Sequence, residues 1–317
     1  MKIIFFGTPF FSVPSLQKIH ESSHELDAVV TIPDKKQGRG LFLKASDVKK
    51  YAESIGCDII EVENFNSESF IENLSNRSPD IFIVVAFKIL PEIVFNIPKY
   101  GSFNIHASLL PKYRGADPIR HALLNSENKT GVSIFQIEKK VDTGPLIISN
   151  SCKIEKTDNY DILFKKLSIL SSEILIEFLN NFDYLYNRKV SQKKIKSDRA
   201  TAFKISIEKQ FIHWEEDTSR DIINKMRAFT SKPGLKTFFQ NRKLTFKKIS
   251  YDVNNNINLS NGFIKKINGE IFVGTCKGSI QILELQFDSK QKIEALSFWN
   301  GFCSKDPSNS FFKTKAE

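Results

Sequence analysis

Residues Ile81–Phe87 form an unbroken apolar run, Ile-Phe-Ile-Val-Val-Ala-Phe, and no other feature of the sequence limits the possible folds so tightly. The run is too short to cross a bilayer, which takes about 20 apolar residues in a helix. It also lacks the alternation of a strand with one wet face. Asp80–Ala86 therefore reads as a strand buried on both sides, and such strands belong to parallel sheets covered by helices. The flanking sequence supplies the rest of that pattern. Lys2–Phe6, Ala28–Thr31 and Asp58–Val62 read as strands, with helical spacing over Pro14–Ser22, Ser46–Ile55 and Ser67–Ser75. Ser102–His106 and Gly131–Ile137 add two more strands. The alternation predicts an α/β, Rossmann-like N-terminal domain with a mostly parallel sheet.

Thr157 and Asp158 offer a helix start, with Asp161 in the first turn. Ile162, Leu163, Leu167, Leu170, Ile174, Phe178 and Phe182 follow on one broad face, so a long helix is expected to close a first domain at residue 188. Residues 189–203 are polar, Lys-rich and without periodicity, and read as a linker. Over 204–317 a helix, Thr218–Phe229, is stopped by Lys232-Pro233-Gly234. Short strands are expected at Lys236–Gln240, Leu244–Ile249, Phe263–Ile267, Glu270–Gly274 and Ser279–Leu285. Asn268-Gly269 makes a two-residue hairpin turn between two of them. Closely spaced short strands of this kind predict a small β-barrel.

Four cysteines, at 57, 152, 276 and 303, form no Cys-x-x-Cys pair and have no nearby His, so neither a disulfide framework nor a metal site is expected. Reduced thiols fit a cytoplasmic protein. The opening Met1–Phe6 resembles a signal peptide but is cut short by Gly7-Thr8-Pro9, and reads as a buried first strand. That Gly lacks the companions of a phosphate-binding loop.

The net charge is +10, and 37 Lys against 9 Arg, with abundant Phe, Ile and Asn, could reflect base composition of the gene alone. A genome-wide bias would act on the whole chain alike, yet the charge is uneven. Residues 1–188 carry 22 Lys+Arg and 23 Asp+Glu, a net of −1; residues 189–317 carry 24 and 13, a net of +11. A basic module beside a neutral one points to a large polyanion such as RNA.

The chemistry concentrates in Phe103-Asn104-Ile105-His106-Ala107-Ser108-Leu109-Leu110-Pro111. On a strand, Asn104 and His106 share a face while Ile105 points the other way. They would emerge at a strand end, where parallel sheets form their clefts. Asp142, in the turn Val141-Asp142-Thr143-Gly144-Pro145, could reach His106 and hold it by a hydrogen bond. Acyl transfer to an amine needs a donor for the developing oxyanion and a group that moves a proton from the attacking to the leaving nitrogen. Asn supplies a neutral donor, His a group titrating near neutrality, and Asp a partner that fixes the His tautomer and favours its charged form.

These residues, with others along most of the chain, resemble the methionyl-tRNA formyltransferase family. The shared features are Phe6-Gly7-Thr8-Pro9, Pro33-Asp34 with Gly38-Arg39-Gly40, Asn104–Gly115, Asp142-Thr143-Gly144, Met226-Arg227-Ala228-Phe229, Pro233-Gly234 and Gly278–Ile282. The resemblance implies catalysis by Asn104, His106 and Asp142, and a 10-formyltetrahydrofolate site lined by Ser108, Leu109, Leu110 and Pro111. It implies a tRNA-facing loop with Arg39, Lys35, Lys36 and Lys44, and an OB-like C-terminal barrel. The partners would be methionyl-initiator tRNA and the folate co-substrate, with no membrane, in a monomer. One departure stands near the folate site: Ala86-Phe87-Lys88-Ile89-Leu90-Pro91 lacks a Gly usual in the family. A formyltransferase acting on an amino sugar nucleotide would share the trio but has no need of a basic second domain. A folate hydrolase releasing formate would put water in place of the amine. A non-catalytic RNA-binding protein would have no use for an intact trio.

Overall fold

The computed structural model describes residues 1–37, 42–230, 233–250 and 257–316. The chain forms two compact units. The first comprises Met1–Pro118, Lys129–Lys153 and Phe164–Phe203; the second comprises Ile119–Asn128, Ile154–Leu163 and Lys204–Glu317.

Among its described residues the first unit contains nine strands: β1 (Lys2–Gly7), β2 (Glu25–Thr31), β3 (Lys35–Gln37), β4 (Phe42–Lys44), β5 (Ile59–Glu61), β6 (Ile81–Val85), β7 (Ser102–His106), β8 (Lys129–Gln136) and β9 (Leu146–Lys153). Seven of them make one sheet in the order β5-β2-β1-β6-β7-β8-β9. The strands from β5 to β7 are parallel, and β8 and β9 run antiparallel at the edge. The apolar run at Ile81–Val85 is β6, buried at all five positions between β1 and β7. The order doubles back between β1 and β6, and sheets of this kind form their crevices beyond the carboxyl ends of the strands at that point.

Helices α1 (Val13–His20), α2 (Asp47–Ser54), α3 (Glu68–Asn76), α4 (Glu92–Phe95) and α5 (Pro118–Leu124) lie between the strands in sequence, and α6 (Tyr160–Asn180) and α7 (Phe182–Tyr186) follow β9; α5 from Ile119 and the start of α6 fall in the second unit. Ser46 and Ser67 cap α2 and α3 by accepting from Lys49 N and Phe70 N. One face of the sheet, with Ile4, Phe6, Phe82 and Val84, packs on Phe70, Leu74, Val94 and Phe95. On the opposite face Phe103 meets Phe178 of α6, ring centroids 4.9 Å apart. The start of α6 differs from the expectation. Asn159 accepts from Ile162 N, while Asp158 is buried and accepts from Glu155 N instead. Ile162, expected on the buried face, is exposed. Strand β9 was not expected at all; its outer half, Ser149–Cys152, is too polar to signal a strand.

In the second unit, α8 (Ser219–Ala228) starts in a capping box between Thr218 and Asp221. Strands β10 (Leu235–Phe239), β11 (Arg242–Ile249), β12 (Ile264–Ile267), β13 (Glu270–Gly274), β14 (Ser279–Phe287), β15 (Lys292–Glu294) and β16 (Phe312–Lys313) are joined mostly antiparallel, with helix α9 (Ala295–Phe298) after β15. The sheet order is β12-β13-β14-β11-β10-β16. Phe263 pairs with Phe311, and Ile264 N and Phe312 N donate to Ser310 O and Gly262 O, so the last strand returns to the first and closes a barrel. Closure removes the sheet's edges, which is why so small a sheet is self-sufficient. Asn268-Gly269 takes left-handed φ of 51° and 87°, as the hairpin reading requires; Gln240-Asn241, not singled out in the sequence, does the same between β10 and β11. The core is apolar and contains an aromatic cluster, with Phe312 among Trp214, Phe239, Phe246 and Phe298.

Candidate active site

The end of β7 carries the site. Asn104 pairs with Val84 and Phe135, and His106 with Ser133, so both side chains leave the sheet on one face. Asn104 is half-buried, and among the described residues its amide has no hydrogen-bond partner. His106 is 7% exposed. Its Nε2 lies 2.9 Å from Tyr113 O. A carbonyl oxygen only accepts, so Nε2 carries the proton and Nδ1 is left with its lone pair.

Asp142 approaches that second nitrogen. Its Oδ2 is 3.9 Å from His106 Nδ1, an ion-pair distance once the ring is protonated but beyond a hydrogen bond. The hydrogen bond expected from the sequence is therefore not made, and the tautomer is held by the Tyr113 carbonyl. The same Oδ2 accepts from Gly115 N at 2.8 Å. Gly115 sits at φ 123°, and a side chain there would also strike Ala202 O, 2.6 Å from its Cβ position. Asp142 and Tyr113 themselves hold left-handed φ, 53° and 60°.

Ser108, Leu110 and Pro111 are buried and Leu109 is half-buried. Their loop is fixed from two sides. Ser108 Oγ donates to Lys112 O, and Ser133 of β8 donates to Ser108 O at 2.7 Å while accepting from Leu110 N at 3.1 Å. Leu110 joins Phe135, Leu146 and Ile195 in an apolar cluster. Near by in sequence to β6, Ala86 turns at φ 47° and Phe87 packs on Phe6 and Phe65, so the segment lacking the family's Gly is anchored by its aromatic ring.

Lys35 is the register partner of Lys44 in the β3–β4 pair, and Lys44 is exposed. Arg39 lies outside the described residues. Three groups escaped the sequence reading: the Tyr113 carbonyl, Ser133 and Gln192. Gln192 is 1% exposed and bonds to Arg114 and to the Asp142 turn. Burial, and after it the neighbouring Arg199 charge, lowers the Arg114 guanidinium from its ordinary value against the pull of Asp142. No sequence signal marks a backbone acceptor or a Gln in a Lys-rich stretch.

Among the described residues no group of three or more His, Cys, Asp or Glu is placed to hold a metal ion, and no helix is long and apolar enough to cross a membrane.

A strand-end amide, an oriented imidazole and a carboxylate behind it suit acyl transfer, and comparison with known proteins makes the class definite. The formyl transferase family matches residues 1–179, its C-terminal domain family matches residues 204–303, and the chain belongs to the formyl transferases. It is 37% identical to the methionyl-tRNA formyltransferase of Caldanaerobacter subterraneus subsp. tengcongensis, covering 92% of this chain and 94% of that one. To that of Thermodesulfovibrio yellowstonii it is 36% identical over 98% of both. The particular family is therefore that of the methionyl-tRNA formyltransferases. A solved structure of the N-formyltransferase from Helicobacter canadensis, bound to folinic acid and dTDP-3-aminofucose, shares the fold with a TM-score of 0.61 at 22% identity, over 92% of this chain and 100% of that one.

Proposed function

We propose that this chain transfers the formyl group of 10-formyltetrahydrofolate to the free amino group of methionyl-initiator tRNA, in the cytoplasm, for translation initiation. The observation that carries the reading is the Asn104–His106–Asp142 arrangement: an amide without a hydrogen-bond partner among the described residues and an oriented ring on one strand face, with a carboxylate 3.9 Å from the ring's Nδ1. The folate supplies the activated formyl carbon. Asn104 donates to the formyl oxygen as it gains charge, a contribution of about 10²–10³ in rate where such a donor has been removed. His106 takes the proton of the attacking amine at Nδ1, the nitrogen left basic by the Tyr113 contact, and returns it to the leaving nitrogen. Asp142 offsets the charge on the ring during that interval.

Asn104's free amide and the fixed 108–111 loop beside it suit a folate, so Ser108, Leu109, Leu110 and Pro111 are assigned to that site. Lys35, Lys36, Arg39 and Lys44 are assigned to the tRNA acceptor end. Residues 1–188 carry catalysis, 204–317 carry tRNA binding, and 189–203 join them in a monomer. A single assay tests the reading: labelled formyl donor offered with charged initiator tRNA, with an amino sugar nucleotide, or in buffer alone. Label is expected on the methionine only. Label on the sugar, or formate released without an acceptor, overturns it.

A further inference from the structure

The stretch that reads as a linker is bound along its length to the two loops that flank His106. Val190 and Leu146 exchange both backbone hydrogen bonds at 2.8 Å. Tyr113 N donates to Ala200 O at 2.6 Å, Ala202 N to Arg114 O at 2.7 Å and Asp117 N to Ala202 O at 3.2 Å. Ile195 packs on Leu110, Phe135 and Leu146. Between these anchors, Gln192 turns its side chain inward. Its Nε2 donates to Asp142 O at 3.1 Å and Gly144 O at 2.8 Å, and its Oε1 accepts from Arg114 Nε at 3.0 Å and Nη2 at 2.6 Å. Two donors and two lone pairs are thus all used, the full capacity of an amide.

We propose that Gln192 is a positioning residue for formyl transfer, whose amide fixes the turn carrying Asp142, and the Arg114 side chain beside it, relative to His106. The proposal rests on the site reading above and deepens it. Nothing in the His106–Asp142 pair sets its own distance, because at 3.9 Å no hydrogen bond joins them. Asp142 also sits at φ 53°, a conformation that a non-glycine residue keeps only when its surroundings hold it there. Two groups do so. Gly115 N fixes the carboxylate, and Gln192 fixes the main chain on either side of Thr143. With Gln192 bonded to neither the ring nor the carboxylate, its effect on the reaction must pass through Asp142 and Arg114.

The test uses the full-length protein, with kcat and KM measured for both substrates and urea unfolding alongside. Gln192→Met keeps the volume and loses all four bonds. It should lower kcat about 10-fold, the scale of a misplaced catalytic group, with both KM values within about twofold. In an Asp142→Asn background the same change should cost nothing further, because residues acting as one unit are not additive. Gln192→Glu keeps the acceptor for Arg114 but aims a carboxylate at two carbonyls, so it should lose as much as Met; it also serves if Met fails to fold. Wild-type kcat in a folded Gln192→Met, or a full further loss in the Asp142→Asn background, overturns the positioning role. Wild-type turnover by Asp142→Asn alone is a different failure: it overturns the site assignment, and the positioning role with it.

Discussion

The surroundings of the site in the first unit and the barrel interior in the second are held by different means. Around the site in the first, the buried groups are polar: His106, Ser108, Ser133 and Gln192 are all under 10% exposed, and each is tied to main-chain carbonyls or to another hydroxyl or guanidinium. The left-handed residues there, Ala86, Tyr113 and Asp142, sit at strand ends and in loops beside the site, Asp142 in the β8–β9 connection. In the barrel of the second unit, left-handed Gln240, Asn241 and Asn268 serve tight turns, and the interior is apolar, a cluster of aromatic rings among aliphatic side chains. Departures from local preference that are held by bonds from distant parts of the chain, as at Asp142, mark where chemistry is expected, because strain persists only when the surroundings hold it. The contrast implies that a mutation in the barrel should act on stability and one at the β7 end on turnover, and that the two effects should separate.

The largest effect expected is on the barrel. Phe312 is 2% exposed, stacked on Trp214 and Phe298, and sits at the closing seam. Phe312→Ala should cost about 3–5 kcal/mol, the usual range for emptying a buried phenyl site. Both tryptophans, Trp214 and Trp299, belong to this unit, so their fluorescence in a urea titration reads it directly. Binding of a stable folate analogue, measured by calorimetry at low urea, should hold. If analogue binding weakens in step with the fluorescence transition, the separation is wrong.

Next comes the carboxylate at the ring. Asp142→Asn keeps the shape and the bond from Gly115 N but removes the charge opposite His106, and turnover should fall about 10²-fold. Analogue affinity and the unfolding midpoint should change little. Near wild-type turnover would remove Asp142 from the reaction.

How far these positions were legible differs in the same way. Strand β6 and the Asn104/His106 face could be read because continuous burial and a period of two leave marks in the sequence. The Asp142 turn could be read from Thr-Gly-Pro after a strand. What fixes those side chains could not. His106 is oriented by the carbonyl of Tyr113, which any residue would supply, and the turn by a Gln in a stretch whose composition says only that it is polar. Residues 190–202 are bound chiefly through their backbone, and backbone pairing across long separations has no residue signature. The barrel itself was expected, but β15 and β16 were missed for a plainer reason: they are three and two residues long, too short for any periodicity.

A smaller effect is expected from surface charge. Lys265 and Lys266 are exposed on β12, within the part of the chain whose net charge is +11. If the second unit is the polyanion-binding one, Lys265→Gln with Lys266→Gln should weaken tRNA several-fold and flatten the dependence of log affinity on log salt by about one to two. Analogue binding should not respond. An unchanged slope would take the β12–β13 hairpin out of the tRNA surface.

The smallest effect concerns a carboxylate that, like Asp142, accepts hydrogen bonds to hold a loop, but does so in solvent. Asn309 Nδ2 donates to Asp306 Oδ2 at 2.9 Å and Ser308 Oγ to Oδ1 at 3.1 Å, and these bonds, Asn309 first, hold the Asp306 carboxyl below the usual carboxylate range. The folded protein thus binds this proton less tightly than the unfolded chain. Its contribution to stability is complete above the unfolded value, about 4, and is lost as the pH falls through the lower folded value. Asp306→Asn should leave the tryptophan-monitored melting temperature almost unchanged at pH 7 and make it decline less steeply than that of the wild type between about pH 4 and pH 2. Other acids titrate in that window too, so the informative quantity is the difference between the two curves. Parallel curves would mean that the loop at 306–309 forms without help from the charge, and that in this unit the carboxylate, unlike Asp142, could be replaced by any acceptor.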